Sequence, residues 1–190
     1  KIRDFAQHIH GFHSTHRFEK VDKNTWRVHA PAGRLHASWQ AYCHELTVRT
    51  SHVDDEHAAL VTSNMLMYID GRKDEPCRLE VRAPRTWKVA CALDPAGPGA
   101  FTAPDYDVLV DAPVECGDFE EFTFKAGGKP HRFIWRGDSN LDLKRFRKDL
   151  PKIVQAEIDM MRAVPYERYL FILHFTDDGT GHVAGVEWKD

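Results

Sequence analysis

The sequence has no stretch of about 20 consecutive apolar residues, which is the length that a helix needs to cross a membrane. It has no Cys-x-x-Cys pair, and its four cysteines are far apart, which argues against a zinc ribbon or a dense disulfide framework. These are Cys43, Cys77, Cys91 and Cys116. The net charge of −3 at pH 7 lacks the basic excess of a nucleic-acid-binding domain. We therefore expect reduced thiols and neither a membrane nor a nucleic-acid partner.

Three short motifs of catalysis and ion binding are also missing. No His-Glu-x-x-His occurs, the helical motif that gives zinc two imidazoles and a general base, and "HELTV" at His44 lacks the second histidine. The segment "PDYDVLVD" has carboxylates but not the glycine and glutamate of an EF-hand. "KAGGKPH" is too short for a phosphate-binding loop, so Gly127 and Gly128 are predicted to form a hairpin turn.

The residues that are present indicate a globular protein with a β-rich first half. Of the 190 residues, 42% are hydrophobic and 29% are charged, enough for one large domain or one and a half. Up to about residue 93, short β-rich runs such as "NTWRVHA" and "TWKVACAL" are separated by turn signals, which is typical of an antiparallel β-sandwich. In "RLHASWQAYCHELTVRT", alternation predicts one inward face, with a bulge before Leu46 and Val48. That face comprises Leu35, Ala37, Trp39, Ala41 and Cys43.

The stretch "DPAGPGAFTAPDYD" is rich in proline and glycine and predicts a long connection. We place the domain boundary in it, with a β-sandwich at residues 1–104 and a second unit at residues 105–190. The second unit begins with a predicted strand in "DVLVDAPVE" and a hairpin of "FEEFTFKAG" and "HRFIWRG". The predicted fold class is mainly β with an α+β C-terminal part.

A helical period follows "DSN", whose side chains can cap a helix. Its apolar side comprises Leu143, Phe146, Leu150, Ile153, Val154, Ile158 and Met161. Pro151 lacks an amide and crowds the carbonyl of Arg147, which predicts a kink or a break into two helices near Asp149. A buried strand, "RYLFILHFT", and the start of another, "GVEW", come next. Such a unit cannot close a core alone, so it either packs on the sandwich or forms a homodimer or domain swap through residues 140–188.

Histidines are concentrated near the N-terminus, in "AQHIHGFHSTH". In a strand, His8 and His10 would share one face about 6–7 Å apart, close enough for both to reach one zinc ion. A third ligand is missing, because His13 and His16 follow Gly11 at spacings that match neither a strand nor one helix face. We interpret these residues as exposed histidines, with a His8–His10 metal site as the alternative.

Five segments in this order resemble one family, the glycyl aminopeptidases, family sixty-one of the metallopeptidases. They are "DKNTWRV", "ELTVRTSHVDDEHA", "PRTWKVACAL", "APDYDVLVDAPVECGDF" and "VPYERYLFILHFTDDGTG". Members have an N-terminal β-domain, a thermolysin-like zinc domain and often a PDZ domain. The resemblance implies that this chain contains the first and only the opening elements of the second, truncated before the zinc-binding helix.

The resemblance also implies a substrate-binding strand near the C-terminus. In the family the strand after the glycine turn reads roughly Gly-Gly-Leu-Glu-His and is an edge strand that lines the substrate cleft. Gly185 and Glu187 match this pattern, whereas Ala184 and Trp188 depart from it. The glutamate would bind the free amino group of a peptide through a charge-assisted contact. An ordinary strand carboxylate is the alternative role of Glu187.

The resulting prediction is a fragment of a zinc-dependent aminopeptidase. The parent would remove N-terminal residues from peptides with zinc-activated water, and this chain would hold no zinc and be inactive. The alternative is a non-catalytic β-sandwich module for binding or assembly that self-associates through its helical tail. The compartment, cytoplasm or periplasm, stays open.

Overall fold

The computed structural model describes residues 4–31, 33–176 and 184–186. In the N-terminal part the strands are β1 (Ile9–Ser14), β2 (Phe18–Lys20), β3 (Trp26–Val28), β4 (Ala37–Ala41), β5 (His44–Thr47), β6 (Thr50–Val53), β7 (His57–Leu60), β8 (Cys77–Glu80), β9 (Lys88–Cys91), β10 (Asp94–Gly97), β11 (Ala100–Ala103) and β12 (Val114–Gly117). Further along are β13 (Glu120–Ala126), β14 (Lys129–Arg136), β15 (Tyr169–His174) and β16 (Ala184–Val186). The helices are α1 (Tyr106–Val110) and α2 (Leu143–Met161), with 3-10 turns at Phe5–His8 and Thr62–Asn64.

The N-terminal part is an antiparallel β-sandwich, as predicted. Its larger sheet has the strand order β5-β6-β7-β12-β9, and a smaller sheet has the order β10-β11-β8. The main core cluster is made of buried residues from both sheets and from α1. It includes Ala58, Cys91, Leu93, Phe101, Leu109, Val114 and Cys116. Strands β1 and β4, and β2 and β3, form two further antiparallel pairs.

The second unit forms a four-stranded sheet of its own, with the order β13-β14-β15-β16, which is called the second sheet below. It packs on the sandwich through a separate hydrophobic cluster. That cluster comprises Ala90, Ala92, Phe119, Ile134 and Leu170. Successive side chains of a strand point to opposite faces, so Ile134 faces the sandwich while its neighbours Phe133 and Trp135 face the other way. The second unit therefore packs on the sandwich, which was one of the two expected ways of covering it.

Helix α2 covers the outer face of this second sheet and lies in the crossover between the parallel strands β14 and β15. Leu150 and Val154 are buried against Phe133 and Trp135. Five residues of the predicted apolar side, Leu143, Phe146, Leu150, Val154 and Ile158, belong to this cluster. Ile153 and Met161 do not, since these residues are 54% and 67% exposed. Self-association through this segment stays a prediction.

Of the kink or break predicted near Asp149, the break is wrong, because α2 is one helix from Leu143 to Met161, and the kink stays a prediction. A proline in a helix removes one hydrogen bond, and here the helix is held on both sides of it by the apolar face that packs on the sheet. The cap is Asp142, whose carboxylate accepts hydrogen bonds from the amides of Lys144 and Arg145, and not a residue of "DSN".

Three further predictions about elements are corrected by the structure. The stretch rich in proline and glycine is a hairpin of β10 and β11, not a connection. The first half of "DVLVDAPVE" is α1, which begins because Asp105 accepts a hydrogen bond from the amide of Val108. The long strand around Trp39 is two strands in two sheets, β4 and β5, separated at Tyr42 and Cys43 rather than bulged.

The hairpin at Gly127 and Gly128 is confirmed. Both glycines have positive φ, 56° and 78°, which suits the tight turn between two antiparallel strands. The division of the chain at residues 104 and 105 stays a prediction. Strands pair across it, since β12 lies between β7 and β9 in the larger sheet.

None of the four cysteines forms a disulfide in this structure, and reduced thiols stay an expectation. Within the described residues, no helix combines the length and the apolar character needed to span a membrane.

A histidine is buried at the start of β14. The ring of His131 lies against Phe124, Tyr169 and Phe171, its Nδ1 donates to the carbonyl of Lys129 at 3.1 Å, and its Nε2 is 2.9 Å from the Tyr166 hydroxyl. Burial lowers the pKa of this imidazole, and the hydrogen bond to the Lys129 carbonyl opposes the shift only in part.

We expect His131 to make the chain less stable in mild acid. In the unfolded chain the histidine takes up a proton near pH 6.5, whereas the folded state resists it. The unfolded state therefore binds more protons between the two pKa values, so stability falls as the pH drops below about 6.5. Urea unfolding of the wild type and of His131→Gln at pH 7.5 and pH 5 measures this. The wild type should lose more free energy of unfolding than the variant, and equal losses would contradict the prediction.

Candidate functional site

The predicted substrate strand is β16, at the edge of the second sheet. It pairs antiparallel with β15, with Gly185 opposite Leu173 and Ala184 opposite His174. Among the described residues no strand pairs with its other side, because the strand order ends at β16. An open strand edge presents backbone amides and carbonyls to which an extended peptide can add as another strand.

Of the two residues predicted to bind substrate, the structure places one. Gly185 is the central residue of β16. Glu187 and Trp188 lie outside the described residues. Their roles stay predictions.

A charged cluster lies where the sandwich meets the second sheet, one strand away from β16. At its centre is Glu115 of β12, which is only 1% exposed. His57 of β7 donates from Nδ1 to Glu115 Oε1 at 3.1 Å, and His174 of β15 donates from Nε2 to Oε2 at 3.0 Å. Both carboxylate oxygens are therefore paired with an imidazole. The carboxylate joins two strands of the sandwich to β15.

The pairing determines the charge of Glu115. Burial by itself raises the pKa of the carboxyl group, but the hydrogen bonds from His174 and His57 outweigh it and hold the pKa below its usual value. Glu115 is thus an anion at neutral pH. This anion fixes the orientation of both rings.

Gly117 makes room for His57 in this cluster. The two residues are register partners in β12 and β7, and a Cβ at Gly117 would lie 2.8 Å from the Cβ of His57. Gly117 also has a φ of 143°, which side-chain-bearing residues rarely adopt. Nearby, Arg136 of β14 forms a 2.6 Å ion pair with Glu56 in the β6–β7 turn. The β6–β7 hairpin, which carries His57, is therefore fixed by contacts with β12 and with β14.

The cluster continues to the surface along the β6–β7 hairpin. Asp54 Oδ2 lies 2.9 Å from His52 Nε2 and 3.8 Å from His57 Nε2. Asp54 Oδ1 accepts hydrogen bonds from the amides of Glu56 and His57, both at 2.8 Å. Burial raises the pKa of Asp54, yet the hydrogen bonds from His52 and from the two amides hold it far below its usual value.

Two groups of three side chains in the described part of the chain bring possible metal ligands within 4.8 Å of one another. One is His52, Asp54 and His57, and the other is His57, Glu115 and His174. Neither includes His8 or His10. His8 ends the first 3-10 turn and His10 lies on β1, so the two are not on one strand as the His8–His10 alternative required.

The comparison with known proteins identifies the family. The sequence-family model named Peptidase M61 N-terminal domain matches residues 1–118. The chain belongs to the M61 peptidase family. No curated protein matches it.

A solved structure extends the match over almost the whole M61 chain. It is a crystal structure of an aminopeptidase N family protein from Idiomarina loihiensis, 29% identical, with a TM-score of 0.86. The alignment covers 95% of this chain and 33% of that protein. The M61 chain therefore spans about a third of the length of the protein that it matches.

The catalytic zinc of a thermolysin-like peptidase needs ligands from a helix that carries His-Glu-x-x-His. Neither metal-ligand group of this chain fits, because the first lies on one hairpin and the second on three strands. These residues therefore do not form the catalytic zinc site of such a peptidase.

The charged cluster was not predicted from the sequence. One part of the cluster could have been found from the sequence, because His52, Asp54 and His57 form a His-x-Asp-x-x-His pattern within "ELTVRTSHVDDEHA". Alternation places His52 and Asp54 on one face of a strand, and a turn can return His57 to it. Glu115 and His174 had no such signal, because only the sheet topology brings them to His57.

Proposed function

We propose that the chain is the N-terminal part of a zinc-dependent M61 aminopeptidase and that its β16 edge holds the peptide substrate. The open edge of β16 beside β15 carries the proposal. Backbone hydrogen bonds from an edge strand can align an extended peptide without regard to its sequence. The family match supports a peptidase, and the coverage of a third of the Idiomarina protein supports a larger parent.

Glu187, one residue beyond β16, supplies the specificity in this proposal. A carboxylate there pairs with the free α-amino group of the substrate and so restricts cleavage to N-terminal residues. The catalytic zinc and the general base come from the part of the parent beyond this chain. On this proposal the 190-residue chain alone does not hydrolyse peptides.

The test is Glu187→Gln in the full-length parent, assayed with peptides that have a free or an acetylated N-terminus. A hydrogen bond to a charged group contributes about 1.5–3 kcal/mol, so kcat/KM for free-amine peptides should fall about 10–100-fold. Cleavage of acetylated peptides should not change.

Glu167→Gln is the matched control, because Glu167 is an exposed glutamate of the same unit whose carboxylate pairs with Lys129. It should leave both activities unchanged. Equal loss on both types of peptide, or no loss in Glu187→Gln, would contradict the role of Glu187.

A further inference from the structure

We propose that His52, Asp54 and His57 form a binding site for a divalent transition-metal ion such as Zn²⁺. The three residues lie on one β-hairpin, with His52 in β6, Asp54 in the turn and His57 at the start of β7. Two imidazoles and one carboxylate are a donor set that suits zinc and its neighbours in the periodic table. This site departs from the expectation that the chain carries no metal.

The distances between the donor atoms suit one shared ion. A tetrahedral zinc ion with bonds of about 2.0–2.1 Å places neighbouring ligand atoms about 3.4 Å apart. The two measured separations from Asp54 Oδ2, 2.9 Å to His52 Nε2 and 3.8 Å to His57 Nε2, lie on either side of that value. The distance of 3.8 Å between Asp54 Oδ2 and His57 Nε2 is too long for a direct hydrogen bond, so hydrogen bonding does not explain why these two atoms lie close together.

Each ligand is already oriented by a second contact. His52 Nδ1 donates to the backbone carbonyl of His44 at 3.2 Å, and the ion would replace the proton through which His52 Nε2 bonds Asp54 Oδ2. His57 Nδ1 donates to Glu115, which leaves its Nε2 for the ion. Metal-binding histidines typically donate their other nitrogen to a carbonyl or a carboxylate in this way. The two amides that bind Asp54 Oδ1 turn Oδ2 toward the imidazoles.

The burial of the three side chains favours an ion with one open position. The side chain of His57 is 6% exposed, that of His52 19% and that of Asp54 38%, so the site opens to solvent on the Asp54 side. Three protein ligands and a water molecule are a common zinc arrangement. In the other group, both oxygens of Glu115 lie at hydrogen-bond distance from an imidazole, whereas in the proposed site only His52 lies at that distance from Asp54 and His57 does not.

The test measures Zn²⁺ binding to the 190-residue chain by competition with a chromophoric chelator, together with the visible spectrum of the Co²⁺ form. The wild type should bind one ion and give the spectrum of a tetrahedral nitrogen and oxygen site. His52→Gln should weaken binding at least about 100-fold, because loss of outer-shell partners alone costs about 10–100-fold. Asp54→Asn should do the same, since asparagine keeps the acceptor for the two amides and loses the charged oxygen.

Two controls make the test specific. His44→Gln should leave binding unchanged, because His44 contributes only its backbone carbonyl to the site. The double variant His8→Gln, His10→Gln should also bind like the wild type. Zn²⁺ should raise the Tm of the wild type but not that of His52→Gln, which also shows that the variant is folded.

The proposal is overturned if the wild type takes up no stoichiometric zinc. It is equally overturned if His52→Gln and Asp54→Asn bind as tightly as the wild type, or if the His8 and His10 double variant loses the ion. Should Asp54→Asn fail to fold, His52→Gln decides alone.

Discussion

Glu115→Ala is expected to lower the free energy of unfolding of this chain by about 3–5 kcal/mol, the usual cost of removing one partner from a buried charged pair. The carboxylate is almost fully buried, and each oxygen accepts a hydrogen bond from a different imidazole. Alanine leaves His57 and His174 without an acceptor in a site that is too buried for water to replace it fully. Urea unfolding at pH 7.5 measures the loss.

Glu115→Gln separates the charge from the shape of the side chain. Glutamine keeps one acceptor oxygen and nearly the same volume, so we expect a loss smaller than that of Glu115→Ala but larger than 1 kcal/mol. Glu45→Ala is the matched control, because Glu45 is exposed on β5 of the same sheet, and its effect should stay within about 0.5 kcal/mol. An effect of Glu115→Ala below about 1 kcal/mol would show that the cluster does not hold the two sheets together.

The features of the fold that were predicted correctly are determined by residues that lie close together in the sequence. The turn at Gly127 and Gly128 follows from the positive φ that glycine permits, and most of the buried side of α2 follows from its helical period. Both signals lie within one turn or one helix. They need no knowledge of what packs against them.

The errors arose where tertiary context decides. Pro95 was taken as a sign of a connection, but β10 is an edge strand of its sheet, and an edge is where a strand tolerates a residue without an amide. The run "VLV" in α1 favours a strand, yet the cap by Asp105 starts a helix there. Pro151 lies inside α2 because packing on the second sheet outweighs the missing hydrogen bond.

The charged cluster shows the same limit for the site. His57, Glu115 and His174 meet through strand pairing between β7 and β12 and through packing of β15 against them. No short-range pattern encodes such a meeting. The family resemblance indicated β16 instead, because an edge strand with a glycine and a glutamate is a local motif.

Ile134→Ala is the second substitution with a large expected effect, and it tests how the two units unfold. Ile134 has no solvent exposure and packs between the sheets with Phe119 and Leu170. The sandwich side of this contact is lined by Ala90 and Ala92, which are too small to fill the cavity that alanine would leave. We expect a loss of about 2–5 kcal/mol in the free energy of unfolding.

The thermal unfolding curve of Ile134→Ala shows whether the two units unfold together. Because the cluster around Ile134 and the pairing of Glu115 with His174 both join the sheets, we expect one thermal transition that moves to lower temperature as a whole. Ile153→Ala is the control, since Ile153 is an isoleucine of the second unit that is 54% exposed on α2, and its effect should be within about 0.5 kcal/mol. Two separate transitions in Ile134→Ala, with only one shifted, would mean that the second unit is stable without the sandwich. The orientation of β16 would then not depend on the N-terminal domain.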